Sequence, residues 1–231
     1  AQGYLYAEDG NYHTGGSPGT YANSFTVASV DNCGMTGLSF RVAERDVVYT
    51  ETLSRNSPFA TLDASEDGSG TELPYIFLDS LGNSEDYETI DVAGKVVFVS
   101  RGESSFSDKL TAADNASAAA CVIYNNVPGT AISMDLSGSY AWIPCVSITR
   151  DDADAIRTAS QAVTDEAGNV LYYTGTMTVG SNIATAIPDS DYNTMSSFSS
   201  WGVTGNLTLK PEITAPGGNI YSIDGATYQT D

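Results

Sequence analysis

Positive charge is scarce in this chain: 9 Lys and Arg stand against 29 Asp and Glu in 231 residues, a net charge of −20. A surface that negative repels phosphate backbones, which excludes nucleic-acid binding, and it disfavours anionic lipid surfaces as well. Histidine is scarcer still, with His13 alone in the Gly-rich stretch NYHTGG. A Ser-His-Asp triad needs an imidazole as general base, so any triad built from this chain alone would have to use His13, and its setting reads as loop polarity. Three cysteines, at 33, 121 and 145, make an odd count without Cys-x-x-Cys spacing. That excludes a disulfide framework and a zinc knot. No long apolar run is present, so no membrane span is expected. The first residue is Ala, not Met, and residue 1 is not expected to be a natural start.

What is present suits a globular, β-rich, loop-rich protein: 41% hydrophobic residues, 22 Gly and 14 Tyr. SFTVASVD (24–31) reads as a strand, and LSFRVAERDVVYTETL (38–53) as one or two strands with period-2 alternation. DASEDGSGTE (63–72) reads as loop, LPYIFLD (73–79) as a short strand and SLGNSEDYETID (80–91) as an acidic connection. GKVVFVSRG (94–102) is an apolar strand flanked by Gly. After it, Phe106, Leu110 and Ala113 recur at helical spacing behind a Ser104 or Ser105 cap, and AACVIYNN (119–126) is the next apolar strand. This is a strand–helix–strand unit. WIPCVSIT (142–149) predicts a strand, and Thr149 caps a helix over 149–159 whose Asp151, Asp152 and Asp154 suit its N-terminal dipole. VLYYTGTMTV (170–179) reads as a strand and 180–197 as polar loop. Cys121 and Cys145 fall in apolar strands, where free thiols pack as small hydrophobes; a bridge between them needs those strands to be neighbours.

The middle of the chain resembles the protease-associated (PA) domain family. The residues that carry the likeness are Gly94, Lys95, Arg101, Gly102, Phe106, Lys109, Tyr124, Asn125, Asn126, Ile143 and Pro144. The flanks resemble the subtilisin-like serine proteases. GSPGTYANSFTVASVDN (16–32) looks like a Pro-Gly turn before a central parallel strand, and SSFSSWGVTGNLTLKPEITAPGGNIYS (196–222) looks like the approach to the family's nucleophile helix. The Gly-Thr-Ser-Met-Ala motif itself does not occur, nor do the family's Asp and His motifs.

The resemblance implies an α/β, β-rich fold: a PA-type open β-barrel or sandwich with flanking helices, inserted between strands of a partial subtilisin-like parallel sheet. It divides the chain into catalytic-domain segments at 1–40 and 181–231 around a PA domain at 41–180. It implies a parent serine endopeptidase that is secreted or cell-wall associated, and a chain that lacks the triad and contains no catalytic residue of its own. Gly16, Ser17, Pro18 and Gly19 match a segment that helps wall the primary specificity pocket, and Tyr228 falls near the leaving-group side. The expected partners are protein or peptide substrates and the rest of the protease chain. Bare strands of the flanking sheet predict self-association of the isolated piece. The alternative is a stand-alone peptide-binding module, which would have no need of the Ala-Pro-Gly approach. No metal or other cofactor is expected; Asp63, Ser65, Asp67 and Gly68 mimic half of a calcium loop, but position 12 of that pattern is Pro74, leaving at most weak calcium binding. Tyr140 and Trp142 read as the edge of the core, with a peptide groove as the other reading.

Overall fold

The computed structural model describes residues 15–31, 35–129, 131–186, 195–196, 198–202 and 208–218. The chain forms two compact units, one from 1–35 with 187–231 and one from 36–186.

The larger unit is organised by one mixed sheet. Its strands are β2 (Met35–Val42), β3 (Arg45–Val48), β4 (Thr50–Glu51), β5 (Thr71–Phe77), β6 (Val96–Ser100), β7 (Ala120–Tyr124), β8 (Cys145–Ile148), β9 (Gln161–Thr164) and β10 (Val170–Ala186). The spatial order is β3-β2-β10-β5-β6-β7-β8-β4, with β9 added on β10. The first and last strands of that path, β3 and β4, are separated in sequence by Tyr49 alone. A sheet whose two ends are held by consecutive residues must curl on itself, so the sheet is a nearly closed barrel. Near closure leaves only short strands, β3 and β4, at the ends of the path, and short edges limit the pairing that invites aggregation.

Alternation along the strands sorts two cores. Val96 and Phe98 of β6 point inward with Phe40, Tyr75, Phe77, Val122 and Val146, and with Ala153 and Ile156 of helix α2 (Arg150–Ala159). Val97 and Val99 point outward, where helix α1 (Phe106–Asn115) covers them with Leu110 and Ala113. Both faces of β6 are therefore apolar, which is why the sequence shows an unbroken run there instead of an alternation. β5, β6, β7 and β8 pair in parallel, Val96 to Ala120 and Cys121 to Cys145 among the partners.

The local signals act as expected at both helices. Ser105 caps α1 by accepting from the Asp108 amide, 3.1 Å, and Thr149 caps α2 by accepting from Asp152, 3.1 Å. Asp152 is buried and pairs with Arg45 at 2.8 Å, so it does more than complement the helix dipole. Three expectations are corrected. The 38–53 region holds three strands, because Ala43 takes a positive φ of 49° and closes a two-residue turn that pairs Val42 with Arg45. The strand expected to end at Val179 runs on to Ala186, and the Thr36 and Thr185 hydroxyls meet at 2.8 Å. The acidic 80–91 connection carries a 3-10 turn at Ser84–Tyr87, where Asn83 and Asp86 form a reciprocal capping box.

In the smaller unit, β1 (Val27–Asp31) pairs in parallel with β11 (Ile213–Gly218), in register Val27–Ile213, Ala28–Thr214 and Ser29–Ala215. This is the neighbour relation expected of 24–31 and 209–215. The Glu212 carboxylate accepts from the Thr26 amide at 2.8 Å and the Glu212 amide donates to the Thr26 carbonyl at 3.0 Å. Lys210, buried to 5% exposure, donates to the Ser24 carbonyl and to Glu212, and that lysine holds the Glu212 carboxyl below its ordinary range. On the other side of β1, Val30 forms an antiparallel bridge with Met195, and Ser29 bonds Ser196 and Ser199.

Phe98 meets Phe40, Tyr75 and Phe77 at centroid distances of 6.0, 5.3 and 5.8 Å in the barrel interior. Phe98→Ala is expected to cost about 3–5 kcal/mol by leaving a cavity that these rings cannot fill. Denaturant unfolding checks this; a cost below about 1 kcal/mol would mean that the barrel interior is not packed as described.

Candidate functional site

The PA-like motif residues turn out to be scaffold. Gly94 takes φ +68°, a left-handed conformation that L side chains rarely adopt. A Cβ on Gly102 would lie 2.3 Å from Leu81 Cδ2. The Arg101 amide donates to the Tyr124 carbonyl at 2.8 Å, and its guanidinium reaches Asn125 Oδ1 at 3.3 Å. Lys109 is fully buried on α1 and donates to the Leu81 carbonyl at 2.5 Å; burial lowers its pKa from the ordinary lysine value. Tyr124 donates to the Leu78 carbonyl at 2.9 Å. Arg101 and Tyr124 tie loop segments to one another and to a strand end, and Lys109 ties α1 to the loop at Leu81.

The exposed surface is different where two loops meet at the barrel rim. Around 134–142 the backbone alternates: Ser139 and Ala141 are buried, while Tyr140 and Trp142 are 72% and 71% exposed. The inward residues hold the strap. Ser139 Oγ bonds Thr111 Oγ1 of α1 at 2.9 Å and accepts from the Ala141 amide at 3.2 Å. The facing loop, 52–57, is fixed by the buried Asn56, which accepts from the Ser54 amide at 2.9 Å and donates to the Thr52 carbonyl at 3.2 Å. The Ser57 amide donates to the Trp142 carbonyl at 2.9 Å, and the Met134 amide to Thr52 Oγ1 at 3.3 Å. Across this seam the Arg55 guanidinium lies 4.1 Å from the Tyr140 ring centre, a cation–π contact. Leu53, on the same loop, is 56% exposed. The expectation that Tyr140 and Trp142 edge the core is corrected: the alternation puts Ser139 and Ala141 in the core and turns both aromatics to solvent.

The other candidates separate clearly. Gly16–Gly19 form a turn in which the Thr20 amide donates to the Gly16 carbonyl, 3.2 Å, and the Tyr21 amide to the Pro18 carbonyl, 3.0 Å; the Ser17–Pro18 peptide is cis. Ser24 and Thr26 hydroxyls both donate to the Gly19 carbonyl, at 2.8 and 2.6 Å, which anchors the turn at the start of β1. Tyr228, His13 and Cys33 lie outside the described residues. In the 63–70 loop, which ends where β5 begins at Thr71 and not after residue 72 as expected, Asp63 Oδ1 accepts from the Ser65 amide and hydroxyl at 2.9 and 2.6 Å, and Asp67 Oδ1 accepts from the Ser69 amide at 3.0 Å. Those bonds hold both carboxyls below their ordinary range. Among the described residues no group of three or more His, Cys, Asp or Glu is placed to hold a metal ion, and no helix is long and apolar enough to cross a membrane.

The near-closed mixed barrel with its α1 cover is a PA domain, and residues 48–156 match the PA domain family. Its curated relatives are proteases. Over 218 residues the chain is 32% identical to a PI-type proteinase of Lactococcus lactis subsp. cremoris, covering 90% of this chain and 10% of the proteinase. It is 32% identical over 143 residues to the minor extracellular protease Vpr of Bacillus subtilis (62% of this chain, 16% of Vpr). It is 26% identical over 218 residues to a C5a peptidase of Streptococcus pyogenes (94% of this chain, 16% of the peptidase). The likeness to the first and third therefore runs through both flanks as well as the PA domain. The chain spans about a tenth to a sixth of the length of these relatives.

If Tyr140 and Trp142 contribute nothing to the core, Tyr140→Ala and Trp142→Ala each shift stability by no more than about 0.5 kcal/mol, as surface substitutions do. Urea midpoints measure this, and a loss near 3 kcal/mol would return both residues to the core.

Proposed function

We propose that this chain is the PA-bearing part of the catalytic region of an extracellular, subtilisin-like serine endopeptidase. Its PA domain selects or gates protein substrates at the rim of the cleft, and the chain by itself does not hydrolyse peptide bonds. The observation that carries the reading is the parallel pairing of Val27–Asp31 with Ile213–Gly218 on either side of an autonomous 36–186 unit. Two strands that belong to one parallel sheet bracket a domain with its own core.

Acyl transfer by such an enzyme needs a serine whose proton passes to an imidazole that a carboxylate orients. In this reading all three groups lie on segments other than residues 1–231. The chain contributes sheet strands, and the Gly16–Gly19 turn lines the primary pocket with Tyr228 on the leaving-group side. Two exposed, rigidly backed aromatics and an arginine at the PA rim suit an extended polypeptide. Aromatic rings and Arg are the side chains that most often carry binding energy, and a net charge of −20 attracts basic segments from a distance. Val27 and Ile213 are 49% and 47% exposed, so the isolated chain is also expected to self-associate along the β1–β11 pair.

Incubated with casein and a fluorophosphonate probe, the chain is expected to leave both unchanged, whereas stoichiometric labelling of one serine would refute the reading. In a full-length proteinase that contains this segment, Tyr140→Ala with Trp142→Ala is expected to raise KM for casein about tenfold, roughly 1.4 kcal/mol of binding. Turnover of a short chromogenic peptide should stay unchanged. Equal loss on both substrates would place the effect in the catalytic centre and remove the rim from substrate selection. Binding of casein to the isolated chain with no effect of the rim on proteolysis would favour a stand-alone binding module.

A further inference from the structure

We infer that Cys121 and Cys145 form an oxidisable dithiol, a modification site that closes into a cross-strand disulfide by exchange with small-molecule disulfides. The two residues are direct register partners on parallel neighbours β7 and β8. The Cys121 amide donates to the Pro144 carbonyl at 2.9 Å, so the strands are bonded right at this position. Parallel strands lie about 4.7–4.9 Å apart, inside the roughly 4.4–6.8 Å range of Cα separations that a disulfide spans. Direct partners project to the same face, and both sulfurs lie in the core beneath α1, fully buried as free thiols. The neighbouring Cys121 thiol, together with burial, raises the Cys145 thiol above its ordinary value.

The surroundings bear on how the pair would react. Lys109 of α1, with Tyr87 and Asp86 of the 3-10 turn, forms the charged and polar setting of the pair. Tyr87 Oη is buried without a hydrogen-bond partner. Both thiols are fully buried, so reagent reaches them only when the structure opens locally. On the edge of β8 away from β7 the pairing strand is β4, which has only two residues and whose pairing stops at Val146 beside Cys145. Short edge strands are the low-stability part of a sheet, and their opening admits reagent.

The exchange balances with the small disulfide as the two-electron oxidant. The Cys145 thiol loses its proton to solvent in the opened state, and its sulfur attacks one sulfur of the small disulfide. That S–S bond breaks, one small thiolate leaves and takes up a proton, and a mixed disulfide remains. The Cys121 thiolate then attacks the Cys145 sulfur and expels the second small thiol. Two protein S–H bonds and one small disulfide become one protein disulfide and two small thiols; the protein is oxidised and the reagent reduced.

The test incubates the 231-residue chain with oxidised glutathione for as long as the amides of β7 and β8 need to exchange with solvent. The chain is then quenched, unfolded and alkylated, and its peptides are mapped without reduction. The expected result is a linked pair of peptides containing Cys121 and Cys145, each unalkylated, with a mass lower by two hydrogens. A Cys33→Ser chain should give the same link and no alkylatable thiol. Two alkylatable thiols at 121 and 145 after that time, a stable glutathione adduct on either, or a link to Cys33 would each overturn the proposal.

Discussion

The parallel pairing of β1 with β11 is the constraint on which the rest of the molecule depends. Parallel neighbours cannot be joined by a tight turn; they need a crossover that leaves one end of the first strand and returns to the opposite end of its partner. In this chain that crossover contains a complete domain. A long flexible loop would impose a closure cost that grows with its length, though slowly, about 0.6 kcal/mol per doubling. The inserted unit avoids much of this because its own ends are adjacent: β2 and β10 are neighbours, and Thr36 and Thr185 touch through their hydroxyls. Once the barrel is folded, the two ends that leave it are held close together and the connection behaves as a short one. Insertion between parallel strands and adjacency of the inserted domain's ends are thus one requirement seen from two sides.

The barrel solves a second closure problem with a single residue. β3 and β4 lie at opposite ends of the sheet path, yet only Tyr49 separates them. Tyr49 is buried and its ring lies 5.1 Å from Phe59 and 6.2 Å from Phe40, so the corner is filled by the core. Burial pushes its hydroxyl up to about 12. The chain can change direction there because the residue at the corner stays packed while the hydrogen bonding passes from β2 to β8.

How much of this the sequence discloses varies with the physics of each element. The β6–α1–β7 unit is legible because apolar runs, a serine cap and a helical stripe agree with one another there. The stripe understates one position: Lys109 is buried as deeply as Leu110, which periodicity assigns to solvent, and its ammonium finds a carbonyl at a loop end that no local pattern announces. The β2–β3 hairpin is hidden because its turn is Ala43–Glu44, with positive φ at an alanine and none of the Asn-Gly or Asp-Gly chemistry that marks such turns. The end of β10 is hidden because Gly180, Ser181 and Asn182 look like loop; tertiary pairing with β2 overrides their weak strand preference. The β1–β11 neighbours lie 186 residues apart at Thr26 and Glu212, and no periodicity reports a contact at that range. Only the family likeness points to it. The rim patch is hidden for the same kind of reason: a Tyr and a Trp near an apolar strand resemble core until the burial of Ser139 and Ala141 fixes the phase.

That phase separates stability from recognition. The residues that carry the PA likeness are spent on the fold: glycines where a Cβ would clash or strain, an arginine and asparagine joining loop ends, a lysine capping a carbonyl. Tyr140 and Trp142 are in the reverse position, since their side chains add almost nothing to the core while the atoms beneath them are unusually well fixed by Ser139, Thr111, Asn56 and Thr52. Large aromatic groups left in water cost solubility and bring no stability in return. Rigid backing lowers the entropy lost when a partner binds, because the loops that present the rings are already ordered. In the proposed reading, the two rings on this braced strap, beside an arginine that already stacks on one of them, are what the barrel rim offers to a polypeptide substrate.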